Sequence, residues 1–268
     1  MKSVLICHHD TLLDREGLAG WLASFSDLAG IVVIREEGQR LKRRIKREVE
    51  RSGALRFLDV LAFRLYYKLL LAPQDKRVEA QLLEDLALRY GKASVDTPIF
   101  ETHSPNSKEA RAFVRDCAPD FMIARCKTIL RRRMFSIPTV GTFVIHPGIC
   151  PEYRNAHGCF WALAQGDTQR CGATLLQIDK GVDTGPVYGY YRYDFDEASE
   201  THIEIQNRSV VENLDDIAAK LREVAANEAE RIDTTGRESD TWGQPWMTEY
   251  VRWKVRAHLH QLRDRVGI

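Results

Sequence analysis

The sequence predicts an α/β protein: a doubly wound, Rossmann-type, mostly parallel sheet that carries a helical insertion and a short helical C-terminal tail. Three observations predict it. Residues 3–7 and 31–34 are short apolar runs rich in β-branched side chains, the length and composition of buried strands. Between them Leu12, Leu18, Trp21, Leu22 and Phe25 recur at helical spacing, giving strand, helix, strand. Further on, Phe143, Val144 and Ile145 end on His146-Pro147-Gly148, so a His should sit at the carboxyl end of a buried strand, where open parallel sheets hold their ligands.

At 268 residues the chain can bury a large core, and a net charge of +1 gives no reason to invoke nucleic acid. Its six Cys, at 7, 117, 126, 150, 159 and 171, are scattered and include no C-x-x-C pair, so reduced thiols are expected rather than disulfides. The opening MKSVLICHH is too short for a signal peptide, and a cytoplasmic location is expected. No cluster has metal-ligand spacing, and no G-x-G-x-x-G follows the first strand.

Taken in order, His8, His9 and Asp10 leave the first strand as a loop, where the two His either line a site or are simply loop residues. Residues 38–92 exceed a minimal version of the fold and read as the helical insertion. Residues 39–51 form an amphipathic helix: Arg40, Lys42, Arg43, Arg44, Lys46, Arg47 and Arg51 make a basic face, and Leu41, Ile45 and Val49 an apolar one. Residues 54–72 are rich in Leu, Phe and Tyr. Arg56, Asp59, Arg64 and Lys68 interrupt them about once a turn, which argues against an integral membrane segment. Three readings of the insertion stay open: packing on its own sheet, a dimer or partner interface, and contact of the basic face at 39–51 with an anionic membrane surface or anionic substrate. A homodimer is the working expectation. Residues 79–90 continue as helix, and Gly91 ends it.

Residues 97–101 read as the next strand. Ser104 is expected to cap a helix at 107–117, and 121–126 is a further strand. Arg131, Arg132 and Arg133 read as a solvated helix face. Past His146, residues 152–157 are a polar loop and 157–165 a helix. A second apolar run, 173–178, precedes a Gly-Val-Asp-Thr-Gly turn that carries Asp183. A His at a strand end and an Asp in a neighbouring loop can make a proton-handling pair. Residues 200–230 read as one long amphipathic helix, and 244–262 as a closing helix, dividing the chain into an α/β domain at 1–230 and an extension at 231–268.

The stretch from 142 to 190 resembles the formyltransferases that use 10-formyltetrahydrofolate, the methionyl-tRNA, glycinamide-ribonucleotide and sugar-nucleotide enzymes. The resemblance rests on His146-Pro147-Gly148, Cys150-Pro151-Glu152-Tyr153-Arg154, Trp161-Ala162, Gly166-Asp167, Gly172-Ala173-Thr174 and Asp183-Thr184-Gly185, in matching order and spacing. It implies a formyltransferase-like fold and an N-formyltransferase that moves a formyl group from 10-formyltetrahydrofolate to the amine of a small acceptor. An amino sugar nucleotide or an amino-acid-like compound would serve as that acceptor. The tail is shorter than the extra barrel domain of methionyl-tRNA formyltransferases, which lowers the weight of a tRNA substrate.

By the same resemblance, His146 and Asp183 are catalytic, with protonated His146 donating to the developing oxyanion and Asp183 orienting it. Arg125, Cys126, Lys127, Thr128, Ile129 and Leu130, with Asp179, Gly181 and Val182, would bind the folate. Gly148, Tyr153, Arg154, Asn155 and His157 would meet the acceptor. One position departs from the pattern: the family's catalytic Asn falls on Val144, which has no hydrogen to donate. Loss of one oxyanion donor costs about 3–4 kcal/mol. Val144 therefore implies a slow enzyme, a donor from elsewhere (Asn155 and His157 are the nearest polar candidates), or another reaction. A folate- or ligand-binding homologue is the competing class.

Overall fold

A computed structural model describes residues 1–35 and 53–266. The basic helix expected at 39–51 lies outside the described residues. The strands are β1 (Lys2–His8), β2 (Asp27–Ile34), β3 (Ile99–Thr102), β4 (Phe121–Arg125), β5 (Gly141–His146), β6 (Arg154–Asn155), β7 (Ala173–Gln177), β8 (Val187–Tyr191) and β9 (Thr241–Trp242). Among the described residues seven of them form one sheet in the order β3-β2-β1-β4-β5-β7-β8, with β6 and β9 paired apart from it. The pairs from β3 to β5 are parallel, while β7 runs antiparallel to β5 and β8 antiparallel to β7. The expected doubly wound, mostly parallel sheet is present, and strand order reverses between β1 and β4.

Both faces of β1, β2 and β4 are buried, which is why their sequences read as near-unbroken apolar runs, while β3 at the sheet edge is not. In β1, Leu5 and Cys7 face one cluster with Trp21, Leu22, Phe121 and Ile217. Val4 and Ile6 face the other, with Val32, Val114, Met122 and Met134. The helix after β1 is a π-helical turn, Leu13–Leu18, running into α1 (Ala19–Phe25).

The insertion is α2 (Ala54–Tyr66), a π-helical stretch (Tyr67–Leu71) and α3 (Ala72–Tyr90), which ends on Gly91 at φ 75° as the sequence predicts. Its inner face packs on its own chain: Phe63 lies against Phe160, His202 and Tyr250. Ser107, not Ser104, caps α4 (Lys108–Cys117), its Oγ accepting from the Ala110 amide. Arg132 and Arg133 open the short α5 (Arg132–Phe135), exposed with Arg131 beside it.

After α6 (Gly158–Gln165), the single helix expected at 200–230 is two, α7 (His202–Val211) and α8 (Leu214–Ala225). They part at Asn213, whose side-chain amide donates to the Arg192 and Ser209 carbonyls. The closing helix is α9 (Met247–Val266), which buries Trp253 against Phe160 and Tyr250. All six Cys are free thiols, and burial pushes Cys7 up to about 12 and Cys126 up to about 11, so both stay protonated near neutral pH.

Candidate functional site

His146 is the last residue of β5, at the carboxyl edge of the sheet. Its side chain is 5% exposed. Its Nε2 lies 2.8 Å from the Tyr153 carbonyl, and because a carbonyl only accepts, Nε2 carries the hydrogen. The other ring nitrogen, Nδ1, faces Asp183 Oδ2 at 3.5 Å. The two ends of the imidazole are thus held by a main-chain oxygen and a carboxylate, which fixes the plane of the ring.

Asp183 is aimed by a compact turn. Asp179 Oδ1 accepts from the Gly181 amide at 2.8 Å and from the Thr184 hydroxyl at 2.7 Å, folding residues 179–184 back on themselves. Asp183 sits at the crest with φ 53°, a left-handed conformation that Asp tolerates better than most residues. Its Oδ2 also accepts the Asn155 amide at 2.8 Å. This carboxylate therefore joins the loop after β7 to the loop after β5.

Two glycines let the backbone close around His146. A Cβ on Gly148 would fall 2.6 Å from the Tyr153 carbonyl oxygen and 2.9 Å from His146 Nε2. A Cβ on Gly158 would fall 2.6 Å from Gly148 Cα. Thr174, opposite His146 on β7, is fully buried; its hydroxyl donates to the Gly148 carbonyl and accepts from the Cys150 amide.

The C-terminal extension locks the outside of this loop. β9 pairs with β6, Trp242 stacks on Tyr153 and Trp161, and its indole N–H donates to the Glu152 carbonyl. Arg237 holds the buried Glu152 through Nε at 2.9 Å and Nη2 at 2.7 Å. Nothing local in the sequence signals this clamp, because its halves lie about ninety residues apart and meet only in the fold.

The remaining site candidates divide. Val144, on the same face of β5 as His146, is half-buried among Met134 and Ile178 on one side and Cys150, Leu176 and Tyr190 on the other. The Asn155 side-chain amide donates to the Trp242 carbonyl. The His157 ring turns inward, 6.0 Å from that of His202, and its Nδ1 is buried without a partner. Burial pushes His157 down to about 4, so the ring is neutral near pH 7. Arg154 donates to the Val182 carbonyl at 3.0 Å. The structure thus brings His146, Asp183, Tyr153, Arg154, Asn155 and Val182 into one contact set and sends the His157 ring to an aromatic cluster behind it.

The loop after β4 lies at the reversal of strand order. Arg125 is held by Asp14 at 3.0 Å and donates to the Ile145 carbonyl at 2.6 Å, tying the end of β4 to β5. His8, at the end of β1, accepts the Lys127 amide at 3.0 Å, so it positions this loop. Asn106 spans the Ile129 carbonyl and the Arg131 amide. The amides of Thr128 and Ile129 have no partner among the described residues. Ile129 is 69% exposed, and Val182, in the loop carrying Asp183, is 37% exposed.

A family model described as Formyl transferase matches residues 31–225. The methionyl-tRNA formyltransferase of Aromatoleum aromaticum is 38% identical over 117 residues, 43% of this chain and 35% of that protein. That of Xanthomonas campestris pv. campestris is 30% identical over 175 residues, 60% of this chain and 55% of its own length. The chain therefore spans about a third to about half the length of these relatives. A sugar N-formyltransferase structure from Shewanella sp. FDAARGOS_354 superposes with a TM-score of 0.55 at 12% identity, covering 96% of this chain and 88% of that one. Phosphoribosylglycinamide formyltransferase from Anaplasma phagocytophilum gives 0.53 at 14%, covering 91% and 99%. At such identities the two structures speak for the fold alone.

Proposed function

Because the chain belongs to the formyl transferase family, we propose that it transfers a formyl group from 10-formyltetrahydrofolate to the amine of a small biosynthetic acceptor, an amino sugar nucleotide or an amino-acid-like compound, in the cytoplasm. The observation that carries this reading is the His146–Asp183 pair, 3.5 Å apart at the carboxyl edge of the sheet.

The loop 125–130 would hold the pterin, with Ile129 and Val182 against its faces and the Thr128 and Ile129 amides at its edge. Bound folate supplies the one-carbon acyl group at N10. The chain's own residues supply orientation and proton handling. The Tyr153 carbonyl and Asp183 hold the His146 ring in one plane. The nitrogen that attacks a formyl carbon must shed a proton, and on this reading the His146–Asp183 pair takes it up. Gly148, Tyr153, Arg154 and Asn155 form the wall on the acceptor side.

A second reading has its own support. The Val144 side chain offers no hydrogen-bond donor, and the Asn155 side-chain amide donates to the Trp242 carbonyl. A binding protein on this scaffold would keep the slot and lose the rate. Release of tetrahydrofolate from 10-formyltetrahydrofolate, followed with a panel of amino sugar nucleotides and amino acids, separates the two. Amine-dependent release that Asp183→Asn suppresses supports transfer, and binding without release supports the second reading.

A further inference from the structure

The insertion and the C-terminal helix pack together through their inner faces and leave their outer faces uncovered. On α2 and the π-helical stretch after it, Leu58, Leu61, Leu65 and Leu69 are 61%, 41%, 60% and 63% exposed. Their spacing of three or four residues puts them on one stripe, opposite the buried Val60 and Phe63. On α9, Val251, Val255, Leu259 and Leu262 are 45%, 55%, 51% and 55% exposed, opposite the buried Trp253 and Ala257. Each stripe is about 17 Å long. Between the two helices and residues 198–201 lies a groove of about 370 Å³ with a mixed lining, Tyr66, Val251 and Val255 beside Gln74, Glu200 and Lys254. Two apolar stripes on adjacent helices are not the scattered apolar residues of an ordinary surface.

The charge around the stripes says what covers them. Arg56, Lys68, Arg252 and Arg263 are exposed on the same helices. Among the described side chains of α2 and α9 the carboxylates are Asp59, taken up by Thr248, and Glu249, paired with Arg252. A second copy meeting this face across a two-fold axis would set like charges against each other with no free carboxylate among the described side chains of α2 and α9. An anionic bilayer offers what the face lacks: an apolar interior for the leucines and phosphates for the Arg and Lys. No helix of the described residues is long and apolar enough to cross a membrane, so the contact is one of lying on the surface.

We propose that the outer face of α2 and α9 docks on an anionic lipid surface, with the two apolar stripes entering the headgroup boundary and the basic side chains around them meeting lipid phosphates. The full chain is floated with vesicles of phosphatidylcholine plus phosphatidylglycerol and with vesicles of phosphatidylcholine alone. Binding to the first and not the second is expected, with a loss of at least about tenfold in Leu58→Glu/Leu65→Glu. The Lys68→Gln/Arg263→Gln pair, which leaves the apolar stripes intact, should weaken binding by several-fold and reduce its salt dependence. Thermal melts of both variants check that they fold; the leucines point away from the core, so an unchanged melt is expected. Three results overturn the proposal: no binding to anionic vesicles, binding that Leu58→Glu/Leu65→Glu retains, or a dimer by light scattering that the same variant dissolves.

Discussion

The Tyr153 carbonyl oxygen lies 2.8 Å from His146 Nε2, so that nitrogen carries a hydrogen. Because Asp183 faces the other nitrogen, the ring spans two acceptors contributed by two different loops. Replacing His146 by Ala should cut formyl transfer by roughly a hundred- to ten-thousandfold. Asp183→Asn, which keeps the shape and removes the charge, should lower kcat with little change in KM for the folate. Steady-state kinetics on both variants check this, and turnover unchanged in His146→Ala removes the catalytic assignment.

Val144 is the position where the resemblance to the family would put a side-chain donor. Val144→Asn should raise kcat by up to roughly a hundredfold if the position faces the developing oxyanion. The same change places an amide among Met134, Ile178 and Leu176, so a lower melting temperature should accompany it. Single-turnover rates measured beside melting curves separate the two effects.

Gly148 and Gly158 are a steric prediction. An added methyl at Gly158 meets only main-chain atoms, and one at Gly148 meets main-chain atoms and the His146 ring. Gly158→Ala should cost about 1–3 kcal/mol and shift the Tyr153 carbonyl from its place on His146. Chemical denaturation gives the first quantity and the activity of the folded variant the second.

His157 makes stability depend on pH. Its unfolded ring titrates near the ordinary value of 6.5 and its folded ring near 4. Between those values the unfolded chain holds a proton that the folded chain lacks, so each step down in pH favours unfolding. Stability should fall from pH 6.5 towards 4, by on the order of 3 kcal/mol from this residue. His202, pushed the same way by burial, steepens the loss. His157→Gln should flatten the profile in urea denaturation at several pH values, and a profile left unchanged would remove the residue from the account.

Much of this was legible in the residues. Buried parallel strands announce themselves as β-branched runs, so residues 3–7, 31–34 and 143–145 placed the sheet and put His146 at its edge. Val187–Tyr191 drew no strand expectation, because Gly189 interrupts a run of only five residues, although it closes the sheet as an antiparallel edge. The break at Asn213 was hidden for another reason: apolar spacing continues across it, and what stops the helix is a side chain bonding to backbone from two directions. In the site, the His and Asp were legible by position and order. The residues that hold them were not. His8, Thr174, Gly158 and Trp242 act through contacts between distant parts of the chain, and local pattern carries no record of those. The inward turn of the His157 ring belongs to the same class, since only the packed aromatic cluster around His202 decides it.

The folate slot proposed between the loops carrying Ile129 and Val182, beside the His146–Asp183 pair, is the part most open to direct test. Calorimetric titration with a stable analogue of 10-formyltetrahydrofolate tests it most directly. The account predicts saturable, micromolar binding by this protein and by Val144→Asn alike, weakened at least about tenfold by Ile129→Asp, which sets a charge against the ring face. Absence of saturable binding by the unmodified protein would contradict it.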